Sequence, residues 1–216
     1  MNLLFADAAI VVVDKPAGQI VHPAPGHATG ALTDELIRHY PEMAHVGSAE
    51  RPGVVHRLDI DTSGVMVFAR AQAAYLALRR QFESHRDVYK TYLAVCHWRR
   101  PKDAASRPVK GMLDVPVNHQ RAVSHYEVLG RQGSLALVRF DIETGRTHQI
   151  RIHAAKVLGC PIVGDSIYGD AARDRRLHCR PTRALLHAVE LSFLHPITGA
   201  RVTFSAPPPP DLVYVI

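Results

Sequence analysis

Residues 56–64 contain the densest group of potentially reactive side chains in the sequence. They read His-Arg-Leu-Asp-Ile-Asp-Thr-Ser-Gly and so supply two carboxylates, a guanidinium, an imidazole and two hydroxyls. An apolar run at 65–69 follows and is typical of a buried strand. Polar groups beside such a strand cost free energy unless they are paired, so the segment is either a turn stabilised by its own side chains or part of a site. In a site, Asp59 could act as a nucleophile or as a general base.

Two other segments hold candidate residues. Tyr92 lies in an alternating run at 88–95, where a tyrosine is more often a half-buried core residue than a catalytic one. Segment 145–151 reads Gly-Arg-Thr-His-Gln-Ile-Arg, and it could simply begin a helix that Thr147 caps and Gly159 ends. A glycine turn, a capped helix start and two arginines would also bind a phosphate or a carboxylate.

Short strands interleaved with a few helices must position these residues. Periodicity and the punctuation by glycine and proline predict helices at 33–39 and 71–85, a basic loop at 98–111, and strands at 9–13, 65–69, 88–95, 123–129, 135–142, 185–193 and 201–204. Because strands and helices do not alternate strictly, we predict an α+β fold with a mixed, largely antiparallel sheet. The 216 residues fit one domain, 1–216, which could be bilobed.

Composition limits the cellular compartments and the binding partners that are expected for this protein. The formal net charge of +6 suits a polyanion such as RNA. Three widely spaced cysteines without a Cys-x-x-Cys pair favour neither disulfides nor a zinc site. The N-terminus lacks the pattern of a signal peptide, and no run of about 20 apolar residues occurs, so we predict a cytoplasmic protein without a membrane span. Among the fourteen histidines, His148 and His153 are five apart and would not share a helix face, so no metal site is expected.

Residues 56–64 resemble the signature of the RluA-type pseudouridine synthases, RNA-modifying enzymes that isomerise uridine within a folded RNA. Similar motifs occur in the family's order and at near-family spacing at 10–18, 92–94, 145–153, 161–169, 185–188 and 204–207. The resemblance spans nearly the whole chain, from Leu3 to Pro207. It implies the bilobed catalytic domain of that family and the isomerisation of specific uridines in structured RNA.

The resemblance also implies catalytic roles. Asp59 matches the family's essential carboxylate, Arg151 matches the arginine that pairs with it, and Tyr92 matches the tyrosine that packs on the base and can help to deprotonate C5. In this reaction the base leaves the ribose at N1, turns while still held, and rejoins through C5. No redox change or external energy is needed, so no cofactor is expected.

Three further residues are implied to contact RNA. The target base must leave its stack, which costs about a few kcal/mol, and Arg57 matches the arginine that occupies the vacated space. Arg146 is expected to meet backbone phosphate, and Ile150 to line the apolar side of the pocket. The expected partner is a stem-loop of ribosomal or transfer RNA, bound by a monomer.

The sequence departs from the family pattern in two places. Many RluA-type enzymes carry an N-terminal RNA-binding module of the S4 type, whereas this chain starts with the catalytic domain, so its own loops are expected to hold the RNA. Family members usually have a longer basic loop at 117–125 and commonly a threonine where Ser124 stands. These departures affect how RNA is clamped more than the chemistry.

Two other functions fit parts of the sequence. The run at 59–62 resembles the Asp-x-Asp signature of haloacid-dehalogenase-type phosphatases, but His56 and Arg57 interrupt the preceding strand and no later Asp-Asp pair supplies Mg²⁺ ligands. An RNA-binding protein that has lost catalysis would use the net charge and the basic residues Arg99, Arg100, Lys102 and Arg107. Intact Asp59, Tyr92 and Arg151 favour the enzyme instead.

Overall fold

The computed structural model describes residues 2–23, 29–98, 108–178 and 180–213. Its strands are β1 (Asn2–Ala6), β2 (Ile10–Lys15), β3 (Gly47–Ser48), β4 (Arg51–Pro52), β5 (Ser63–Ala69), β6 (Tyr89–His97), β7 (Lys110–Asp114), β8 (Val123–Gln132), β9 (Leu135–Ile142), β10 (Leu186–Leu194) and β11 (Arg201–Ser205). Its α-helices are α1 (Leu32–His39), α2 (Gln72–Ser84), α3 (Gln149–Ile152), α4 (Ala171–Asp174) and α5 (Pro210–Val213). A 3₁₀-helix at Pro41–His45 and a π-helix at His153–Val157 complete the regular structure of the described residues.

The chain forms two compact units. The first comprises Met1–Tyr89 and Val189–Pro207, and the second comprises Lys90–Ala188 and Pro208–Ile216.

In the first unit, β2 pairs antiparallel with β1 on one side and with β5 on the other. Every residue of β5 is buried, which explains the apolar run at its residues 65–69. Helix α2 buries Ala74, Leu78 and Phe82 at helical spacing. These side chains join one core with Val12, Val67 and Phe193.

The second unit is built on an antiparallel arrangement in the order β6-β9-β8-β7. Buried and half-buried positions alternate along β9, as expected for a strand with one face on the core. The core cluster of this unit contains Val95, Leu135, Val163, Leu185 and Leu212.

The predicted α+β fold with a largely antiparallel sheet is confirmed. All seven predicted strands and the two helices at 33–39 and 71–85 occur within a few residues of their predicted bounds. The sequence did not predict β1, β7 or the two-residue strands β3 and β4. Most residues of β1 and β7 are exposed, and these strands lack the apolar alternation of a strand over a core. The loop predicted at 98–111 ends early at β7, and its residues 99–107 lie outside the described residues.

No helix in the described parts of the chain is long and apolar enough to span a membrane.

Candidate active site

The loop that carries Asp59 is fixed on both sides. Before it, His56 accepts a hydrogen bond from the backbone N–H of Val67 through Nε2 (3.1 Å) and stacks on Phe82 with ring centroids 4.5 Å apart. After it, the carbonyl of Ile60 accepts a hydrogen bond from the backbone N–H of Gly18 (2.8 Å). The side chain of Asp59 is therefore presented, half-buried, from a loop with little freedom to move.

Lys15 is the second anchor of this loop. Its side chain is fully buried, and its ammonium donates to three carbonyls, those of Pro16 (2.9 Å), Gln19 (2.8 Å) and Ile60 (3.0 Å). Three donors thus meet three acceptors, which compensates the cost of burying the ammonium. The sequence motif at 10–18 is in this way tied to the motif at 56–64.

A cavity of about 600 Å³ opens in the first unit beside this loop. Its volume lies in the range of small-ligand pockets. It is lined by His22, Ser48, Glu50, Arg51, Val54, Val55, His56 and Arg57, and by Tyr75, Arg79 and Glu83 of α2.

The positive charges that line this cavity are only partly paired. Arg79 is paired with Glu83 on the same helix, whereas neither Arg51 nor Arg57 forms an ion pair with a carboxylate in the described ranges. Burial and the nearby guanidiniums of Arg51 and Arg57 lower the pKa of His22. Two uncompensated guanidiniums in a concave wall suit an anion such as a phosphate.

In the second unit, Tyr92 and Lys90 lie on the same face of β6, because they are two residues apart on a strand. Both are 8% exposed. Tyr92 stands opposite Phe140 of β9. The predicted core tyrosine on a strand is thus confirmed, with its side chain buried rather than half-buried, while its catalytic role stays a prediction.

A buried amide shapes the turn that precedes α3. Gln149 accepts hydrogen bonds from the hydroxyl of Thr144 (2.7 Å) and the backbone N–H of Arg146 (3.1 Å). Its amide nitrogen donates to the carbonyl of Val123 (2.9 Å) and the hydroxyl of Ser124 (3.0 Å). The amide oxygen thus accepts two hydrogen bonds and the amide nitrogen donates two, which is its full capacity. The turn at 144–146 is therefore rigidly attached to β8.

Arg151 is oriented by a buried carboxylate. Its Nε donates to Asp165 Oδ2 (2.8 Å) and its Nη2 donates to Asp165 Oδ1 (2.7 Å). Burial raises the pKa of Asp165, but the bonds from Arg151 and from the backbone N–H groups of Tyr168 and Ile167 outweigh it, so the pKa lies below its usual range. Asp165 therefore stays ionised and holds the guanidinium in one plane.

Two glycines shape the loop that carries Asp165. Gly164 has φ +76°, and a Cβ there would lie 2.0 Å from the carbonyl oxygen of Arg183; a Cβ on Gly169 would lie 2.1 Å from the carbonyl oxygen of Asp165. Only glycine fits these close backbone approaches. The motif at 161–169 is thus a tight loop built around one carboxylate.

The predicted site residues are divided between the two units. Arg57 and Asp59 share the loop of the first unit, where Arg57 is exposed. Tyr92, Arg146, Ile150 and Arg151 belong to the second unit, where Ile150 and Arg151 are buried neighbours on α3 and Arg146 lies in the turn before it. That the two groups form one site stays a prediction.

The start of α3 differs from its prediction. The N-cap is His148, which adopts φ +57°, and not Thr147. The helix then widens into the π-helix at 153–157, and Gly159 ends it with φ +65°. Local propensity did not reveal this geometry because the Gln149 amide, bonded to β8, fixes the preceding turn.

Two residues of interest were missing from the predicted site. Asp165 was visible in the motif at 161–169, but nothing local indicated its partner. The only sequence feature that indicated Lys90 was its position two residues before Tyr92, which places both on the same face of an alternating strand. Burial and, to a lesser degree, the charge of Arg146 lower the pKa of Lys90 to about 8.

The histidines considered as metal ligands have other partners. His153 donates from Nε2 to the carbonyl of Val115 (2.9 Å), and its Nδ1 lies 3.0 Å from the hydroxyl of Ser124. His148 Nδ1 lies 3.2 Å from the hydroxyl of Tyr168. Within the described ranges, no three His, Cys, Asp or Glu side chains are grouped to hold a metal ion.

Comparison with known proteins places these motifs in one family. Residues 9–156 match the family model described as RNA pseudouridylate synthase. An uncharacterized RNA pseudouridine synthase of Chloroflexus aurantiacus is 41% identical, with 94% of this chain and 64% of the relative covered. Ribosomal large subunit pseudouridine synthase D of Xanthomonas campestris pv. campestris is 40% identical, with 98% and 67% covered. The solved structure of human RNA pseudouridylate synthase domain containing 4 matches with a TM-score of 0.76 at 28% identity, covering 99% of this chain and 91% of that one.

These matches define what the chain shares with its relatives. The chain spans about two thirds of the length of the curated relatives it matches. The segment matched by the family model includes Asp59, Tyr92 and Arg151. The chain belongs to the RNA pseudouridine synthases, a family of isomerases.

Proposed function

We propose that this chain converts specific uridines to pseudouridine in structured RNA, with Asp59 as the essential carboxylate. The observation that carries the proposal is the presentation of Asp59, half-buried, from a loop anchored by His56 and Lys15, in a chain of this family. Family membership also sets aside the phosphatase interpretation of 59–62.

The reaction conserves every atom of the nucleotide. The bond between N1 and the ribose C1′ breaks, the uracil turns, and a bond from C5 to C1′ forms, while C5 loses a proton and N1 gains one. Asp59 acts at the glycosidic bond as a carboxylate, and we assign the charge of Arg151 to its support. Tyr92 packs on the base and assists the removal of the C5 proton.

Asp165 gives Arg151 a defined role in this scheme. It engages Nε and Nη2 of the guanidinium, so the orientation of Arg151 is set before RNA binds. A preorganised cation stabilises developing charge without reorganisation during the reaction.

RNA recognition is assigned to both units. In the first, Arg57 is exposed two residues before Asp59 and occupies the space left by the flipped base, while Arg51 and the adjoining cavity receive neighbouring phosphate. In the second, Arg146 contacts phosphate and Ile150 lines the pocket. The name of the Xanthomonas relative makes ribosomal RNA of the large subunit the first substrate to test, with transfer RNA second.

The decisive variant is Asp59→Asn. Ribosomal and transfer RNA labelled with tritium at uridine C5 would be incubated with each protein, because isomerisation releases that hydrogen to water. We expect Asp59→Asn to fold and to bind RNA with unchanged affinity, but to release no tritium. The matched control is Asp61→Asn, which removes the neighbouring carboxylate of the same loop.

Near-normal turnover by Asp59→Asn would refute the proposal. If the unmodified protein bound these RNAs tightly but released no tritium from any of them, it would instead be an RNA-binding protein without catalysis.

A further inference from the structure

Lys90 is a buried ammonium with too few partners. Its side chain is 8% exposed, and its one hydrogen bond to a described residue is a 3.5 Å contact with the carbonyl of Thr144. No carboxylate in the described ranges forms an ion pair with it. Burying a cation in this way costs free energy when the charge is not compensated.

Lys15 shows what a structurally satisfied lysine looks like in the same chain. It is also buried, yet its ammonium donates to three carbonyls at 2.8–3.0 Å. Lys90 has one long bond where Lys15 has three short ones. A purely structural role therefore explains Lys15 but leaves Lys90 unexplained.

The charge that acts on the Lys90 ammonium is positive, and a glycine borders this ammonium. The charge of Arg146 acts on Lys90 and, after burial, is the second cause that lowers its pKa. Gly145 directly precedes Arg146, and a Cβ there would lie 3.6 Å from the Lys90 ammonium. Because Gly145 has no side chain, none covers the ammonium at this position. Two cations beside a bare stretch of backbone form a site for an anion.

The position of Lys90 indicates which anion. Lys90 and Tyr92 lie on the same face of β6, and two residues along a strand span about 6.6–6.8 Å. A nucleotide whose base packs on Tyr92 would therefore bring its oxygens within reach of Lys90. The turn carrying Arg146, to which we assign phosphate contact, is bonded to the Lys90 ammonium through the Thr144 carbonyl.

We propose that Lys90, together with Arg146, binds an anionic oxygen of the target nucleotide. This inference rests on the proposed function and adds a residue to its substrate site. The oxygen belongs either to the phosphate of the flipped nucleotide or to the uracil, which carries negative charge once its bond to the ribose has broken. Binding the anion supplies the partner that the buried ammonium lacks.

Steady-state kinetics of Lys90→Met separates the two sources. If Lys90 binds the phosphate, we expect KM to rise at least tenfold with kcat nearly unchanged, because the contact exists before reaction. If Lys90 binds the detached uracil, we expect kcat to fall at least tenfold with KM nearly unchanged. The control is Lys110→Met, which removes an exposed lysine of the same unit and the same charge. Values of kcat and KM within twofold of the unmodified protein would overturn the inference.

A binding measurement tests the site independently of catalysis. The pKa of Lys90 would be followed by NMR of the labelled ammonium, without ligand and with saturating uridine 5′-monophosphate, in the Asp59→Asn protein. We expect the nucleotide to raise this pKa, because a bound anion favours the charged lysine. An unchanged pKa with the nucleotide bound would contradict the inference even if the protein isomerises RNA, and a raised pKa would uphold the anion site even if it does not.

Discussion

The guanidinium of Arg151 and the carboxylate of Asp165 form a bidentate pair whose side chains are 7% and 0% exposed. The carboxylate also accepts the backbone N–H groups of Ile167 (2.9 Å) and Tyr168 (3.0 Å). The arginine that we assign to support Asp59 is thus positioned by a second carboxylate, which itself is held by a glycine-dependent loop. Asp165 is a positioning residue in this scheme.

Asp165→Asn should harm both stability and activity. Removing one partner of a buried ion pair costs about 3–5 kcal/mol, because the other charge stays buried without compensation. The matched control is Asp211→Asn, since Asp211 also forms a bidentate pair, with Arg183 (2.6 and 2.8 Å), but is exposed. Urea unfolding should show a larger loss for Asp165→Asn than for Asp211→Asn. At temperatures where both variants are folded, only Asp165→Asn should lose most of its kcat.

Acid unfolding offers a second check on the same residue. The folded-state pKa of Asp165 is lowered, so its contribution to stability is present above roughly pH 4, the ordinary value for a free Asp, and is lost as the pH falls through the lower folded value. Asp165→Asn should therefore remove part of the acid-induced loss of stability. An unchanged pH dependence below pH 4 would show that the pair does not act as described.

The sequence predicted the strands and helices of the fold better than the contacts that position the residues of the candidate site. Strands such as β5 and β9 and the helix α2 have strong apolar patterns that local sequence dictates, so their positions were confirmed. The predicted start of α3 was wrong because the preceding turn is fixed by Gln149, whose amide donates to Val123 and Ser124, 26 and 25 residues earlier in the sequence. Such contacts between distant segments leave no periodic signal.

The residues that we propose to act in the reaction and those that position them differ in how well the sequence predicts them. Asp59 and Arg151 could be named because dense polar motifs and a family resemblance mark them. The roles of Asp165 and Lys90 can be inferred only from their burial and their partners. Asp165 forms a 2.7 Å ion pair with Arg151, and Lys90 makes a single 3.5 Å contact with Thr144. Pairing and burial are properties of the folded chain, so the sequence did not reveal the roles of these two residues.

Lys15 and Lys90 should respond in opposite directions to replacement by methionine. Lys15→Met removes the ammonium that donates to three carbonyls, of which that of Ile60 keeps its bond from the backbone N–H of Gly18. Each buried group left unsatisfied costs about 1–3 kcal/mol. Lys90→Met removes a buried charge; with the pKa lowered from 10.5 to about 8, the charge costs roughly 3 kcal/mol at neutral pH. Urea unfolding at pH 7 should therefore show Lys15→Met destabilised and Lys90→Met stabilised.

The pH dependence of stability follows from the same lysine. Between about pH 8 and 10.5 the unfolded chain keeps the proton of Lys90 while the folded protein has lost it, so the unfolded state binds more protons and stability rises with pH across this window. The Lys90→Met variant should lack this rise relative to the unmodified protein. A destabilised Lys90→Met variant, or an identical pH profile, would show that Lys90 has a stabilising partner in the folded state.

Arg51→Ala tests whether the cavity of the first unit receives RNA. Arg51 lines that cavity without a carboxylate partner among the described residues, and one phosphate contact through a charged hydrogen bond is worth roughly a tenfold change in affinity. Binding of a uridine-containing stem-loop would be measured in the Asp59→Asn background, so that the RNA is not altered during the titration. Arg51→Ala should weaken binding roughly tenfold and reduce the slope of log K against log salt by about 0.7–0.9. The control is Arg80→Ala, which removes the same charge from an exposed position on α2 outside the cavity. If both variants lost the same small amount of affinity, RNA would be responding to net charge alone and the cavity would not be a contact.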